Sequence, residues 1–374
     1  MRTARPHVRF LVDRAGGSVA YAVHGHGPTL VLPAWWVGHL EKDWDLPAMR
    51  AFLEALGQVA TVVRYDRPGV GLSDPARGPR SLDEESDLLG RVVEATGARR
   101  VSVLAFSCGG PPAVAFAAAH PALVERLIFY GSYADGQALA PPDLQDALCG
   151  LVRAHWGAGV RTLADVFVAD AGPEQREDFT VMQRAATDAE TAEAVLRLTY
   201  AMDVRSLLPE VRAPTWVVHR RRDRAVPYEA GRALATGIAG ATLITLEGRI
   251  HPPWMGEDSV AALVDIVRGG APQALAAYPC RLDAGNRELQ RDGEAVPLTP
   301  LEFGLLADLL AHEGRAVARE ELIERVWEQA TAGSNVVDAV VRSVRRKLGP
   351  YAPSIETVKG LGYRFRGWVR KAGR

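Results

Sequence analysis

Three side chains in this sequence, Ser107, Asp223 and His251, have the types and positions that nucleophilic catalysis requires. Each lies just beyond a short apolar run; the runs are Val101–Phe106, Pro214–His219 and Ala241–Leu246. A histidine can remove the proton of a serine hydroxyl as general base, and an aspartate can fix the tautomer of that histidine and stabilise its charged form. The sequence therefore predicts attack of Ser107 on a carbonyl carbon, with His251 as the base and Asp223 as its partner.

The residues around Ser107 indicate how the chain would present it. The preceding apolar run predicts a buried strand and Pro111–His120 predicts a helix, so the serine lies in a tight turn between them. Small residues must flank such a turn because strand and helix approach closely, and Ala105 and Gly109 fill both positions. The same residues also fit a serine that merely opens a helix. For the acid, Asp135 is a second candidate.

Apolar runs that alternate with helical patterns predict a parallel sheet with helices on both faces. The predicted strands are Val8–Val12, Ser18–Val23, Thr29–Leu32, Val59–Tyr65, Val101–Phe106, Leu127–Tyr130, Pro214–His219 and Ala241–Leu246. Functional groups gather beyond the carboxyl ends of the strands in such a sheet, which would bring Ser107, Asp223 and His251 together. Their order along the chain, serine, aspartate, histidine, is that of α/β-hydrolases.

Between about residues 135 and 208 the pattern changes to successive helices without a clear strand, which predicts a helical cap inserted into the sheet domain. The predicted helices are Leu144–Trp156, Thr162–Ala169, Pro173–Ala185 and Ala189–Tyr200. Large side chains under this cap could line a pocket: Trp156, Phe167, Phe179, Met182, Tyr200 and Met202. A place in the core of the cap is the simpler role for each of them.

Five sequence segments within about Val8–Arg268 resemble one branch of the α/β-hydrolase superfamily. They are PAWWVGHLEKDWDLP, RYDRPGVGLSD, HWGAG, PTWVVHRRRDRAVP and EGRIHPPW. This branch contains hydrolase-like modules that precede nucleotide cyclase or DNA-binding output domains in bacterial regulators. The resemblance implies an oxyanion hole whose two N–H donors belong to Trp35 and to Cys108. Pro33 and Ala34 stand where a His-Gly pair is usual before the first donor.

Composition narrows the classes of partner. The chain has 374 residues, a formal net charge of −1 and 48% hydrophobic residues, which predicts a folded protein without a general attraction to nucleic acid. Its three cysteines, at no metal spacing, predict neither a disulfide framework nor a metal centre. The sequence has no phosphate loop, no secretory leader pattern and no membrane-spanning run, so we expect a cytoplasmic protein without cofactor or metal.

Other polar residues have both a functional and an ordinary explanation. Four arginines crowd Asp223 and would either hold an anionic ligand or form a solvated loop face; they are Arg220, Arg221, Arg222 and Arg224. His24 and His26 lie in a Gly-rich turn, which predicts a place at the surface.

The last hundred residues have a different pattern, after a linker predicted at 271–277. We therefore expect an α/β-hydrolase domain over 1–270, with its cap at about 135–208, and a second domain over 278–374.

In this second domain, short strands are followed by helices at Thr299–His312, Arg319–Glu328 and Ser334–Leu348 and by a hairpin at Ile355–Val358 and Tyr363–Phe365. This order predicts an α+β winged helix-turn-helix. Four sequence segments of this domain resemble the OmpR/PhoB-type effector domain of response regulators. They are LTPLEFGLLADLL, REELIERVW, NVVDAVVRSVRRKLG and ETVKGLGYRF.

Positive charge is concentrated in this second domain. From residue 341 onward the sequence has ten basic residues and one acidic residue, which is the pattern expected for contact with phosphates. The resemblance implies that the third helix enters the major groove of double-stranded DNA and that the hairpin touches the adjacent backbone or minor groove. The predicted DNA-binding residues are Asn335, Val340, Arg342, Arg345, Arg346, Lys347, Thr357 and Lys359. A solvated basic face is the alternative explanation.

Together these features favour a one-component transcriptional regulator that binds DNA as a homodimer, in which the hydrolase domain receives a small-molecule ligand. The alternative is a serine esterase or lactonase with an accessory DNA-binding domain. A third hypothesis, favoured by Pro33 and Ala34, is a receptor that has the hydrolase fold without turnover.

Overall fold

The structure is a computed structural model that describes residues 5–76, 78, 80–269, 280–283, 288–291, 294–312, 314–327 and 335–368. The chain divides into two compact units, Met1–Pro272 and Gln273–Arg374. The predicted linker at 271–277 lies outside the described residues.

One sheet organises the described part of the first unit. Its strands are β1 (His7–Val12), β2 (Ser18–Gly25), β3 (Thr29–Leu32), β4 (Thr61–Tyr65), β5 (Val101–Phe106), β6 (Val124–Tyr130), β7 (Thr215–Arg220) and β8 (Thr242–Leu246). The spatial order is β1-β2-β4-β3-β5-β6-β7-β8. From β4 through β8 neighbouring strands are parallel, whereas β1 pairs antiparallel with β2 and β2 antiparallel with β4. The short turn between β1 and β2 allows only a hairpin, and the parallel strands are those that alternate with helices along the chain, as the sequence predicts.

Helices cover the sheet, and four of them form the cap. They are α1 (Lys42–Asp45), α2 (Pro47–Gly57), α3 (Leu82–Thr96), α4 (Gly110–Ala119), α5 (Pro142–Ala154), α6 (Trp156–Phe167), α7 (Pro173–Ala186), α8 (Ala189–Ala201), α9 (Tyr228–Gly237) and α10 (Glu257–Arg268). The cap consists of α5–α8, which follow one another between β6 and β7. The start of α3 follows from a capping box, in which Ser81 and Glu84 bind each other's backbone N–H groups. No described helix is both long and apolar enough to cross a membrane.

His24 is not at the surface as the sequence suggests. It lies in β2, its Nε2 is 3.0 Å from the Leu53 carbonyl, and its ring meets the edge of Trp44. Burial lowers the pKa of His24 to about 4, so the imidazole is neutral near neutral pH. Strand alternation places this side chain against α2, whereas His26 beyond the strand is exposed.

The second unit has two small sheets and three α-helices among its described residues. Its elements are β9 (Cys280–Asp283), β10 (Glu288–Arg291), β11 (Glu294–Pro297), α11 (Pro300–Ala311), β12 (Ala316–Ala318), α12 (Arg319–Val326), α13 (Asn335–Leu348), β13 (Ile355–Val358) and β14 (Gly362–Phe365). The sheets have the antiparallel orders β11-β10-β9 and β12-β14-β13. This is the predicted winged helix-turn-helix, with β12 as a third strand beside the hairpin.

Candidate functional site

Ser107 lies at a strained turn between the buried strand β5 and the helical turn that leads into α4. Its φ is +46°, and within the described residues no other non-glycine residue has a positive φ. Left-handed backbone costs a residue with a Cβ roughly 1–2 kcal/mol, so the surrounding packing must hold it there. A Cβ on Gly109 would lie 3.2 Å from the Ala34 carbonyl oxygen, a close contact that a glycine avoids on this side of the turn.

Asp223 and His251 form a buried pair beyond the carboxyl ends of β7 and β8. Asp223 Oδ2 lies 2.7 Å from His251 Nδ1, and the two residues are 8% and 2% exposed. The other oxygen of Asp223 accepts the N–H groups of Ala225 and Val226 at 2.9 and 3.1 Å. Burial alone would raise the pKa of Asp223, but the nearby His251, with its hydrogen bond, and His219 lower it. The carboxylate therefore stays ionised and can stabilise a charged His251.

Two residues at the end of β6 connect this pair with the serine turn. Gly131 has a φ of +53°, and a Cβ there would lie 3.0 Å from His251 Cε1 and 3.2 Å from Asp223 Oδ2. The next residue, Ser132, donates from its hydroxyl to the Ser107 carbonyl at 2.7 Å. The ends of β5, β6, β7 and β8 thus converge on one place, as expected for an open α/β sheet.

Asp135 does not take the place of Asp223. Its carboxylate accepts the backbone N–H of Gln137 at 3.0 Å and pairs with Arg205 at 3.1 Å. The structure thus engages Asp135 elsewhere and puts Asp223 on His251.

Arg220 is not on the solvated loop face that its neighbours suggest. It is 5% exposed, it donates from Nε to the Tyr130 hydroxyl at 2.9 Å, and it pairs with Asp258 at 2.6 Å. It is therefore a structural arginine. Arg221 next to it is exposed and pairs with Glu247 at 3.0 Å.

The two predicted oxyanion donors belong to segments that touch each other. Trp35 lies in the loop after β3, and its carbonyl accepts the thiol proton of Cys108. As the second residue of the helical turn that begins at Ser107, Cys108 has no carbonyl one turn back to bind its own N–H. The oxyanion role of the Trp35 and Cys108 N–H groups stays a prediction.

Aromatic side chains of the cap cover His251. The backbone N–H of His251 donates at 2.8 Å to the backbone carbonyl of Phe167, at the end of α6. The rings of the two residues lie 5.6 Å apart. Phe179 of α7 meets both Phe167 and Trp35. Trp254 packs edge-on against Trp35 with ring centroids 5.0 Å apart, a contact between distant segments that no local sequence pattern indicates. Trp156, by contrast, donates from its indole to Thr187 within the cap.

In the second unit, α13 has a buried stripe and an exposed basic face. The buried side chains recur at helical spacing and are Val337, Val341, Val344 and Leu348. Arg342 and Arg346 are exposed on the other face. The predicted base contact Val340 is half-buried against the core of this unit, and Asn335 begins the helix, with its side chain outside the described part.

Two of the predicted phosphate contacts are bound within the protein. Arg345 donates to the Ile355 carbonyl at 2.7 Å and to the Thr357 hydroxyl at 2.9 Å, and thus connects α13 with the hairpin. Lys347 Nζ lies 2.6 Å from Glu302 and 2.7 Å from the Pro297 carbonyl. Their structural roles are evident, whereas Lys359, at the turn of the hairpin, is exposed.

Glu302 orients α13 against the start of α11. It accepts hydrogen bonds from Ser343 at 2.7 Å, from Lys347 at 2.6 Å and from the N–H of Thr299 at 2.7 Å. Burial opposes ionisation, but the hydrogen bonds from Lys347, Thr299 and Ser343 prevail and lower the pKa of Glu302 to about 2. In the structure Glu302 also completes the capping box of α11 with Thr299, and no local sequence pattern indicates its contacts with α13.

Replacing Glu302 by glutamine is expected to cost about 2–3 kcal/mol of local stability, since it removes hydrogen bonds to a charged group. Because the pKa of Glu302 is lower in the folded state than the ordinary value of 4.5, this contribution is complete above pH 4.5 and is lost as pH falls towards 2. Hydrogen–deuterium exchange of α13 peptides in the full chain measures the loss. Glu356→Gln is the matched control, since Glu356 forms surface pairs with Arg364 and Arg366. Equal protection of α13 in both variants would contradict this role.

Comparisons with known proteins match the two units of the chain to two different families. The family described as "alpha/beta hydrolase fold" matches residues 28–248, and "Transcriptional regulatory protein, C terminal" matches residues 293–365. The transcriptional regulatory protein CutR of Streptomyces coelicolor is 44% identical over 95 residues, which cover 25% of this chain and 43% of that protein. The chain thus spans less than half of the length of this curated relative.

The first unit has relatives of its own. A 2-hydroxy-6-oxononadienedioate/2-hydroxy-6-oxononatrienedioate hydrolase of Cupriavidus pinatubonensis is 31% identical over 239 residues, covering 61% of this chain and 78% of that protein. The crystal structure of a hydrolase from Pseudomonas aeruginosa PA01 has a TM-score of 0.56 and 27% identity, covering 66% of this chain and 91% of that one. On these matches and on the fold, the chain belongs to the α/β-hydrolase fold family and has a C-terminal transcriptional-regulator domain of the OmpR/PhoB type.

Proposed function

We propose that this protein is a one-component transcriptional regulator. Its hydrolase domain binds a small carbonyl-containing ligand under the cap, and its winged helix binds double-stranded DNA. The observation that carries the proposal is the presence, in one chain, of the buried Asp223–His251 pair and of a matched regulator domain whose α13 exposes Arg342 and Arg346.

The chemistry proposed for the first unit is acyl transfer to Ser107. His251 takes the serine proton as the hydroxyl oxygen attacks the carbonyl carbon, and Asp223 stabilises the charged imidazole. The N–H groups of Trp35 and Cys108 bind the oxyanion. His251 then returns the proton to the leaving group, and a water repeats the sequence to release the acid.

The second candidate is an esterase or lactonase with an accessory DNA-binding domain. It is favoured by the buried Asp223–His251 pair, because a site that only binds a neutral ligand needs no ionised carboxylate behind a histidine. The relatives of this unit named above are hydrolases, which supports turnover as part of the function.

A ligand can change DNA binding only by its different affinity for the two states of the regulator. The contact of His251 with Phe167 offers a route by which the occupied serine site shifts the cap. We propose that this shift changes how two copies of the chain pair on repeated half-sites, since winged-helix dimers read such repeats.

Selection of bound duplexes from a random-sequence pool by the full chain tests the proposal. Affinity for the selected duplex is then measured with and without a panel of acyl esters and lactones. We expect selection of a repeated site and a change of affinity with at least one panel member. A chain that hydrolyses panel members and selects a DNA site, but whose affinity for that site no panel member changes, would favour the accessory-domain alternative.

A further inference from the structure

We propose that Arg67 and Ser132 are positioning residues, each of which orients one donor of the oxyanion hole through the carbonyl of the donor's own peptide group. This inference rests on the proposed acyl chemistry at Ser107. It concerns two buried side chains that the mechanism above does not use.

The physical basis is the planarity of the peptide bond. In a trans peptide the C=O of one residue and the N–H of the next lie in one plane and point in opposite directions. A side chain that holds the carbonyl from behind therefore also sets the direction of the N–H in front. The C=O and N–H of one peptide group polarise together. A hydrogen bond accepted by the oxygen therefore makes the N–H a stronger donor.

Ser132 makes this contact for the second donor. Its hydroxyl, which is 0% exposed, donates at 2.7 Å to the carbonyl of Ser107, and that carbonyl shares a peptide group with the N–H of Cys108. The same carbonyl accepts the N–H of Gly110 as part of the helical turn. A Cβ on Gly110 would lie 1.8 Å from the Ser132 oxygen, so the glycine makes room for this contact.

Arg67 makes the corresponding contact for the first donor. It is 1% exposed, and its Nη2 donates at 2.7 Å to the carbonyl of Ala34, which shares a peptide group with the N–H of Trp35. The guanidinium lies 3.8 Å from the buried Glu85, which Arg80 also binds at 2.5 Å. A fixed cation behind the peptide favours negative charge in front of the N–H.

The two contacts come from different strands and share one geometry. Ser132 follows β6 and Arg67 follows β4, yet each donates to the carbonyl directly preceding a proposed oxyanion donor. Satisfying buried carbonyl groups would require some donor at each position. That requirement does not explain why the two acceptors are the carbonyls of Ser107 and Ala34, whose peptide groups contain the two proposed oxyanion donors. We therefore assign positioning roles to Ser132 and Arg67.

The orientation is tested without reference to activity by ¹⁵N labelling of cysteine and tryptophan in the full chain. Loss of a hydrogen bond at a carbonyl changes the amide shift of the same peptide group. We expect Ser132→Ala to move the Cys108 amide signal and Arg67→Met to move that of Trp35. The control is Ser259→Ala, because Ser259 is equally buried and donates to the Pro253 and Gly256 carbonyls, neither of which belongs to the peptide group of a proposed donor.

The kinetic test separates orientation from stability. For ester hydrolysis we expect Ser132→Ala to lower kcat by about 10- to 100-fold with KM little changed, since a donor is misplaced only where negative charge develops. The affinity of a trifluoromethyl ketone, whose adduct with Ser107 carries an oxyanion, falls by the same factor. Ser259→Ala changes neither quantity. Arg67→Lys, which keeps a donor and the charge, recovers part of the kcat that Arg67→Met loses.

The outcomes distinguish this inference from the proposed function. Unchanged Cys108 and Trp35 signals in the variants overturn the inference even if the wild type hydrolyses esters. Shifted signals with unchanged kcat overturn the positioning roles as well. A wild type without any turnover counts against the acyl chemistry, and moved amide signals then still support the orientation of both peptide groups.

Discussion

Replacing Ser107 by alanine is expected to abolish turnover of esters and lactones, with a fall in kcat of about 10⁴- to 10⁶-fold. The reason is that Ser107 follows β5 on a strained turn, with a φ of +46°, at the strand ends where the Asp223–His251 pair lies. The measurement is hydrolysis of short and medium acyl esters and lactones by the purified full chain. A fluorophosphonate should label Ser107 in the wild type and leave the variant unlabelled.

Ser107→Gly provides the matched control for folding. Because φ at this residue is +46°, glycine relieves strain that alanine keeps, so the glycine variant should be at least as stable as the wild type and equally inactive. Activity that survives in both variants would mean that another group attacks the substrate.

The same variants separate sensing from turnover. If a panel member shifts DNA affinity of Ser107→Ala as it does for the wild type, binding alone is the signal. If the shift requires Ser107, the acyl-enzyme or the product is the signal. Both results are consistent with linkage, because the signal is whichever species (ligand, acyl-enzyme or product) favours one of the two states of the regulator over the other.

The fold class can be predicted from the sequence because its signals are local. Apolar runs of strand length, alternating with amphipathic segments, mark the sheet, and turn residues mark its connections. The convergence of Ser107, Asp223 and His251 follows from one rule about strand ends. The antiparallel pairing of β1 with β2 follows from the loop between them, which is too short for a crossover.

Contacts between distant side chains could not be predicted in this way. Ser132 and Arg67 act on carbonyls 25 and 33 residues away, and no local pattern connects them. Lys347 likewise lies in a run of basic residues that suggests phosphate contact, but its partner Glu302 is 45 residues earlier. Charge predicts which face is basic, and only packing decides which basic side chains remain exposed.

Replacing Arg342 and Arg346 together by alanine is expected to weaken DNA binding by about 2–4 kcal/mol, or roughly 30- to 1000-fold. Both side chains are exposed on α13, opposite its buried stripe. If both touch phosphates, the slope of log affinity against log salt falls by about 2, because each phosphate contact releases about one counterion. The measurement is fluorescence anisotropy of the selected duplex at several salt concentrations.

Arg345→Ala is the informative comparison, because Arg345 holds the hairpin through the Ile355 carbonyl and Thr357. We expect this variant to lose protection of α13 and the hairpin in hydrogen–deuterium exchange, with reduced DNA affinity as a consequence of the disturbed geometry. The Arg342/Arg346 variant should keep wild-type protection and lose affinity alone. Unchanged affinity of that variant at every salt concentration would remove the DNA-binding role from this face of α13.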